Sequence, residues 1–142
     1  MPTRKATAVW EGGLKGGKGS FQGESGKIGG AYSFGSRFES AGGTNPEELL
    51  AAADAACYSM ALSAALEKAG TPATRVETQA ACTIDKVGEG FMITSMKLTV
   101  RAKVPNVDEA AFMKAAEAMK EGCPVSAAFK GNLKFELDAK LV

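Results

Sequence analysis

Asn45–Gly70 reads NPEELLAAADAACYSMALSAALEKAG. Asn45 is a favoured N-cap, and Pro46 suits the first helical position. Glu47 and Glu48 then face the positive end of the helix dipole. Gly70 and Pro72 end the segment, so one long helix is predicted up to about Ala69. Between Leu49 and Leu66 almost every residue is apolar or small. Such a helix needs cover on nearly all sides. A chain of 142 residues has little material for that, so a second subunit is expected to share in the burial. The same stretch approaches membrane-span length, but Asp54, Ser59 and Ser63 argue against insertion.

Around this helix the pattern is mostly extended. Thr3–Glu11 reads as a strand, Gly12–Gly19 as a turn, Ser20–Gln22 as a short strand and Ser25-Gly26 as a turn. Tyr32–Phe38 (YSFGSRF) alternates, which predicts a strand with Arg37 opposite the aromatic side chains. Ala41–Thr44 is a loop. Ala73–Asp85 and Phe91–Val104 form a predicted hairpin turning at Val87–Gly90. Val76, Thr78, Ala80, Cys82 and Ile84 share one face of the first strand. Met92, Met96, Leu98 and Val100 are expected in register on the second. Asp108 caps a second helix, with Phe112, Ala115, Ala116 and Met119 on one face, and Gly122 stops it. Pro124 begins a short turn of helix to about Phe129. Leu133, Phe135, Leu137, Ala139 and Leu141 alternate in a last strand. The expectation is one α+β domain over residues 1–142, with mainly antiparallel sheet rather than alternating βαβ units.

Composition narrows the chemistry. The chain carries 17 basic and 16 acidic residues, three cysteines and no histidine. Balanced charge implies neither a nucleic-acid surface nor an anionic-membrane surface. No apolar run follows Arg4 and Lys5, so no signal peptide is expected and the cytoplasm is the default. There a disulfide would be transient, catalytic or sensing. Without histidine or a CxxC pair, a metal site is not expected. Gly12–Gly19 (GGLKGGKG) misses the phosphate-loop pattern, because Gly19 stands where Ser or Thr is required. No cofactor motif is present.

The absence of histidine leaves cysteine as the natural nucleophile, provided a cation or helix dipole favours its thiolate. Cys57 lies in the alanine-rich helix. By pattern alone it reads equally as a small buried hydrophobe. Cys123 lies between a helix-ending glycine and a helix-starting proline, an N-cap setting that favours a thiolate. Cys82 reads as packing. The cation would be arginine, and Arg37 is the candidate, although a solvated surface arginine fits the same pattern.

The runs Gly43–Leu62 (GTNPEELLAAADAACYSMAL) and Gly122–Ser126 (GCPVS) resemble the OsmC branch of the OsmC/Ohr family. Trp10-Glu11-Gly12, Gly17-Lys18-Gly19, Glu24-Ser25-Gly26 and Arg37-Phe38-Glu39 strengthen the likeness, which spans essentially the whole chain. The resemblance implies an intertwined homodimer, with antiparallel sheets wrapped around central helices and active sites at the subunit interface. It implies a thiol-dependent peroxidase acting on organic hydroperoxides and less efficiently on hydrogen peroxide, in defence against oxidative stress. Cys57 then corresponds to the attacking cysteine, Cys123 to the resolving cysteine that closes a disulfide with it, Arg37 to the family's arginine and Glu47 to its glutamate. The reductant implied is an external dithiol of the dihydrolipoyl kind.

Phe21, Phe34, Phe38, Tyr58 and Met60 are candidates for the wall of an apolar substrate pocket. On a continuous helix, Glu47 and Cys57 lie about 15 Å apart. Glu47 must therefore act through Arg37, through a bend or across the dimer, and Glu48 competes for its role. Two other classes fit less well: a redox-sensing or ligand-binding dimer with slow turnover, and an acyl-transfer enzyme with a cysteine nucleophile. The second of these lacks a histidine and has no use for Cys123.

Overall fold

In the computed structural model, which describes residues 1–142, the chain runs β1 (Ala6–Glu11), β2 (Lys18–Gly23), β3 (Gly29–Tyr32), α1 (Phe34–Phe38) and α2 (Pro46–Lys68). It continues β4 (Arg75–Val87), β5 (Gly90–Lys103), α3 (Glu109–Gly122), α4 (Pro124–Phe129) and β6 (Lys134–Leu141). The chain divides into two compact units, Met1–Pro46 and Glu47–Val142.

The first unit is an antiparallel sheet in the order β1-β2-β3, followed by α1. Trp10 and Phe21 pack their rings on Tyr32, with centroids 5.4 and 6.1 Å away. Gly19 pairs with both Trp10 and Tyr32. A Cβ there would sit 2.6 Å from the Tyr32 ring and 2.7 Å from Trp10, so the aromatic cluster requires glycine at this point. The glycine-rich stretch is the β1–β2 hairpin and no helix follows it, as the failed phosphate-loop pattern implied.

The predicted strand over Tyr32–Phe38 is overturned. Only Tyr32 is extended, and Phe34–Phe38 forms α1. Ser33 and Ser36 are the reason. The Ser33 hydroxyl accepts from the Ser36 N–H at 3.1 Å, and the Ser36 hydroxyl accepts from the Ser33 N–H at 2.8 Å. This reciprocal capping starts a helical turn despite the alternating aromatics. Arg37 is therefore a helical residue.

The second unit holds α2, a sheet in the order β4-β5-β6, and α3 with α4. Its core is Tyr58, Leu62 and Leu66 of α2, Met96, Leu98, Val100 and Ala102 of β5, Phe112 and Ala116 of α3, Cys123, and Ala139. α2 is unbroken. At its end, Thr71 N–H reaches the Leu66 carbonyl at 3.0 Å, and Gly70 takes φ +82°, the left-handed conformation that favours glycine. Within the chain, only one face of α2 is covered. Ala52, Ala53, Ala56, Met60 and Ala64 are exposed. By length and composition α2 is also long and apolar enough to cross a membrane.

The inward face predicted for β4 is half-buried as expected. On β5 the expectation fails at Met92, which is 55% exposed. The register shifts between Thr83 and Ile84, so that Thr83 pairs with Ser95 but Ile84 with Ile93. The extra residue, Thr94, reverses the alternation, turning Ile93 inward and Met92 outward. β4 and β5 are antiparallel, whereas β5 and β6 are parallel. The expected antiparallel arrangement thus holds for three of the strand pairs and not for the fourth. α3 and α4 supply the long crossover that a parallel neighbour needs.

Candidate active site

The second unit gathers a cluster of polar groups in its apolar core. Asp54 and Cys57 lie three residues apart on α2, so their side chains share a face. Opposite them is the junction of α3 and α4. Cys123 ends α3 and is also the N-cap of α4, with Pro124 opening the new helix. Its N–H closes α3 on the Met119 carbonyl at 3.1 Å, and its carbonyl accepts from Ala127 N–H at 2.8 Å. The kink between the helices presents the Cys123 side chain to α2.

Cys57 and Cys123 are both free thiols, and their side chains hydrogen-bond to each other. Cys57 is half-buried and Cys123 fully buried. Burial pushes the Cys57 thiol above its ordinary value. The Cys123 thiol and the negative charge of Asp54 add to that rise, while a hydrogen bond to the Val125 backbone works against it. A Cys57 thiolate therefore needs positive charge beyond what these neighbours supply. Cys123 occupies the N-cap position read from the sequence, but its side chain makes no cap hydrogen bond. Its thiol turns to Asp54 instead, with Sγ 3.8 Å from Oδ1.

Asp54 and Ser126 were not singled out as site residues by sequence reasoning. Asp54 is completely buried and Ser126 is 1% exposed. The Ser126 hydroxyl donates to Asp54 Oδ1 at 2.7 Å. Oδ2 of the same carboxyl has no hydrogen-bond partner. Burial raises the Asp54 pKa, and the bonds from Ser126 and Cys123 offset part of that rise. The signal was present as one acid amid alanines, a helical turn before Cys57, and as the serine one turn after Cys123.

The remaining candidates are placed as follows. Glu47 is buried, whereas Glu48 is exposed. The Glu47 charge helps raise the pKa of Cys82, although burial is the larger cause there. Cys82 is half-buried on the inward face of β4, as its packing role requires. Arg37 lies in the first unit with its guanidinium 5.2 Å from the Phe38 ring centroid, and Phe34 stacks on Phe38 at 5.0 Å. Of the suggested pocket walls, Tyr58 is completely buried and donates to the Ala116 carbonyl at 2.8 Å. Met60 is 74% exposed. No group of three or more Cys, Asp or Glu side chains is arranged to hold a metal ion.

Comparison with known proteins agrees with this arrangement. Residues 39–138 match the family model described as "OsmC-like protein". The chain is 44% identical over 138 residues to "Peroxiredoxin OsmC" of Escherichia coli (strain K12), covering 96% of each chain. It superposes on the crystal structure of the organic hydroperoxide resistance protein OhrB of Bacillus subtilis with a TM-score of 0.69 at 26% identity, covering 96% of this chain and 98% of that one. An organic hydroperoxide resistance protein OsmC from Legionella pneumophila shares the fold, with a TM-score of 0.73 at 22% identity and 96% of each chain covered. Two thiols at a helix junction, in the sequence setting read above, thus go with a family match over most of the chain: it belongs to the OsmC-like protein family.

Proposed function

We propose that this chain is a cysteine-based peroxidase that reduces organic hydroperoxides, and hydrogen peroxide less efficiently, in defence against oxidative stress. The observation that carries the reading is the pair of free thiols, Cys57 on α2 and Cys123 at the α3–α4 junction, in mutual hydrogen-bond contact. The 44% identity to a protein named a peroxiredoxin supports it.

In this reading the Cys57 thiolate attacks the distal peroxide oxygen. The O–O bond breaks, an alcohol leaves, and Cys57 becomes a sulfenic acid. Cys123 then attacks the Cys57 sulfur, water leaves, and a Cys57–Cys123 disulfide remains. An external dithiol, of the dihydrolipoyl kind, restores both thiols by exchange. Arg37 is the cation that favours the Cys57 thiolate against the upward push of its neighbours, and Glu47, buried where Glu48 is not, orients Arg37. The working unit is a homodimer of one-domain chains in the cytoplasm.

The test is mass spectrometry of the reduced protein after one equivalent of cumene hydroperoxide. A loss of two mass units per chain, with stoichiometric alcohol, is expected. An unchanged mass would rule the reading out and favour a slow, non-enzymatic redox sensor, to which a raised Cys57 pKa is better suited.

A further inference from the structure

Asp54 is the one group in this core that neither packing nor the proposed steps explain. It is a fully buried acid on a helix whose other buried residues, beyond Glu47 in the first turn, are Tyr58, Leu62 and Leu66. One carboxyl oxygen takes both available donors, Ser126 Oγ–H at 2.7 Å and Cys123 Sγ–H at 3.8 Å. The other takes none. A carboxyl with an open oxygen in an apolar setting costs stability unless it has work to do.

We propose that Asp54 is the proton acceptor for Cys123 in the disulfide-closing step, with Ser126 orienting its carboxylate. This rests on the peroxidase reading above. In the step, the Cys123 S–H bond breaks and its proton passes to the Asp54 carboxylate. The sulfur electron pair forms the bond to the Cys57 sulfur, and the S–O bond of the Cys57 sulfenic acid breaks. The expelled hydroxide takes up the proton, so the products are the disulfide and one water and the carboxylate is restored. No further oxidant or reductant enters. A thiol buried at an N-cap without a cap bond is otherwise a poor nucleophile, because the thiolate is the reactive form. The carboxylate supplies the base that a chain without histidine lacks.

The carboxyl is also connected to the surface. Ser126 lines a cavity of about 310 Å³ together with Lys120, Glu121, Lys130, Leu133 and Phe135. Protons on Asp54 thus exchange with solvent by way of the serine hydroxyl. The groups that face Asp54 are Cys57 and Tyr58 from its own helix, Cys123 and Ser126 from the α3–α4 junction, and Cys82 from β4. None of these carries a positive charge. Burial dominates, which keeps the carboxyl proton affinity above that of an ordinary aspartate.

Rapid-quench mass spectrometry separates the steps. Reduced protein is mixed with one equivalent of cumene hydroperoxide, and sulfenate is trapped with dimedone while the disulfide is counted by mass. In the parent protein, closure should accelerate as pH rises through the Asp54 pKa. Asp54→Asn should still form sulfenate but close on the order of 100-fold more slowly, with that limb of the pH profile gone. Ser126→Ala removes a bond that lowers the Asp54 pKa, so the limb should persist and move to higher pH. A merely structural Asp54 would slow both steps and leave the Ser126→Ala limb in place. Closure in Asp54→Asn at the parent rate, or an unmoved limb in Ser126→Ala, would overturn the proposal. Absence of any sulfenate in the parent would instead overturn the peroxidase reading.

Discussion

Cys123 is the N-cap of α4, yet its thiol leaves the N–H groups of that helix uncapped and points to Asp54, 3.8 Å away on α2. The relationship sets a thiol and a buried carboxylate in one apolar core beside Cys57. It gives the two cysteines unequal settings: Cys57 half-exposed, Cys123 enclosed. The more accessible thiol suits attack on a peroxide, and the enclosed one suits an intramolecular partner.

Cysteine replacement follows from that inequality. Cys57→Ser should abolish peroxide consumption. Cys123→Ser should consume one equivalent, accumulate sulfenate and fail to cycle efficiently with a dithiol. Peroxide consumption and dimedone labelling measured side by side check this. Full turnover by Cys57→Ser would remove it from the attacking role.

The Cys57 thiol is pushed up chiefly by burial, then by Cys123 and Asp54. Arg37→Ala should push it higher still. The rates of alkylation by iodoacetamide and of peroxide reduction at pH 7 should then fall by about tenfold or more. The alkylation rate followed against pH reports the thiol pKa directly. An unchanged profile would take Arg37 out of the mechanism.

Asp54 should cost the fold stability at neutral pH. Its pKa in the folded chain is raised above the ordinary 3.8, so between these values the native state holds more protons than the unfolded state. Stability contributed by protonated Asp54 is complete below pH 3.8 and is lost as pH rises through the folded pKa. Asp54→Asn removes this dependence while keeping the shape. Its stability relative to the parent should improve across that window, by on the order of 1 kcal/mol. Urea unfolding at several pH values measures it, and a constant difference would contradict the assignment.

Tyr58 ties α2 to α3 through its bond to the Ala116 carbonyl, in a completely buried setting. Tyr58→Phe keeps the ring but strands that carbonyl. A loss of about 1 to 3 kcal/mol is expected, read from urea unfolding at fixed pH. A loss much smaller than this would mean that the carbonyl finds another donor.

Much of this was legible in the residues. The bounds of α2 follow from Pro46 and Gly70, the α3–α4 junction from Gly122, Cys123 and Pro124, and the inward face of β6 from its alternation. What was missed has local causes. Ser33 and Ser36 cap each other, and serine at the third helical position is a weaker signal than glutamate or glutamine. The alternating aromatics around them favoured a strand. The Thr94 bulge reverses β5 without any glycine or proline to mark it. Asp54 escaped notice because acids are rarely fully buried, so the pattern assigned it to a solvated face. The Cys57–Cys123 approach depends on a contact across 66 residues, and the family resemblance supplied it where periodicity did not.

The exposed side of α2 decides the last prediction. Ala52, Ala56, Met60 and Ala64 recur every fourth residue, so they form one stripe, with Ala53 beside it. Met60 is 74% exposed, and the small neighbours would allow another backbone to come close. Leaving this stripe in water wastes apolar area on the most apolar helix of the chain. A second copy of the chain, laid against the stripe, would complete the burial that the composition of α2 calls for. Sedimentation equilibrium should therefore show a dimer for the parent protein. Ala56→Glu would place a charge at the centre of the stripe and should weaken association by at least about tenfold, since an unpaired charge buried at an interface costs several kcal/mol. A monomeric parent protein, or a dimer indifferent to Ala56→Glu, would mean that this face of α2 is not the one the second subunit covers.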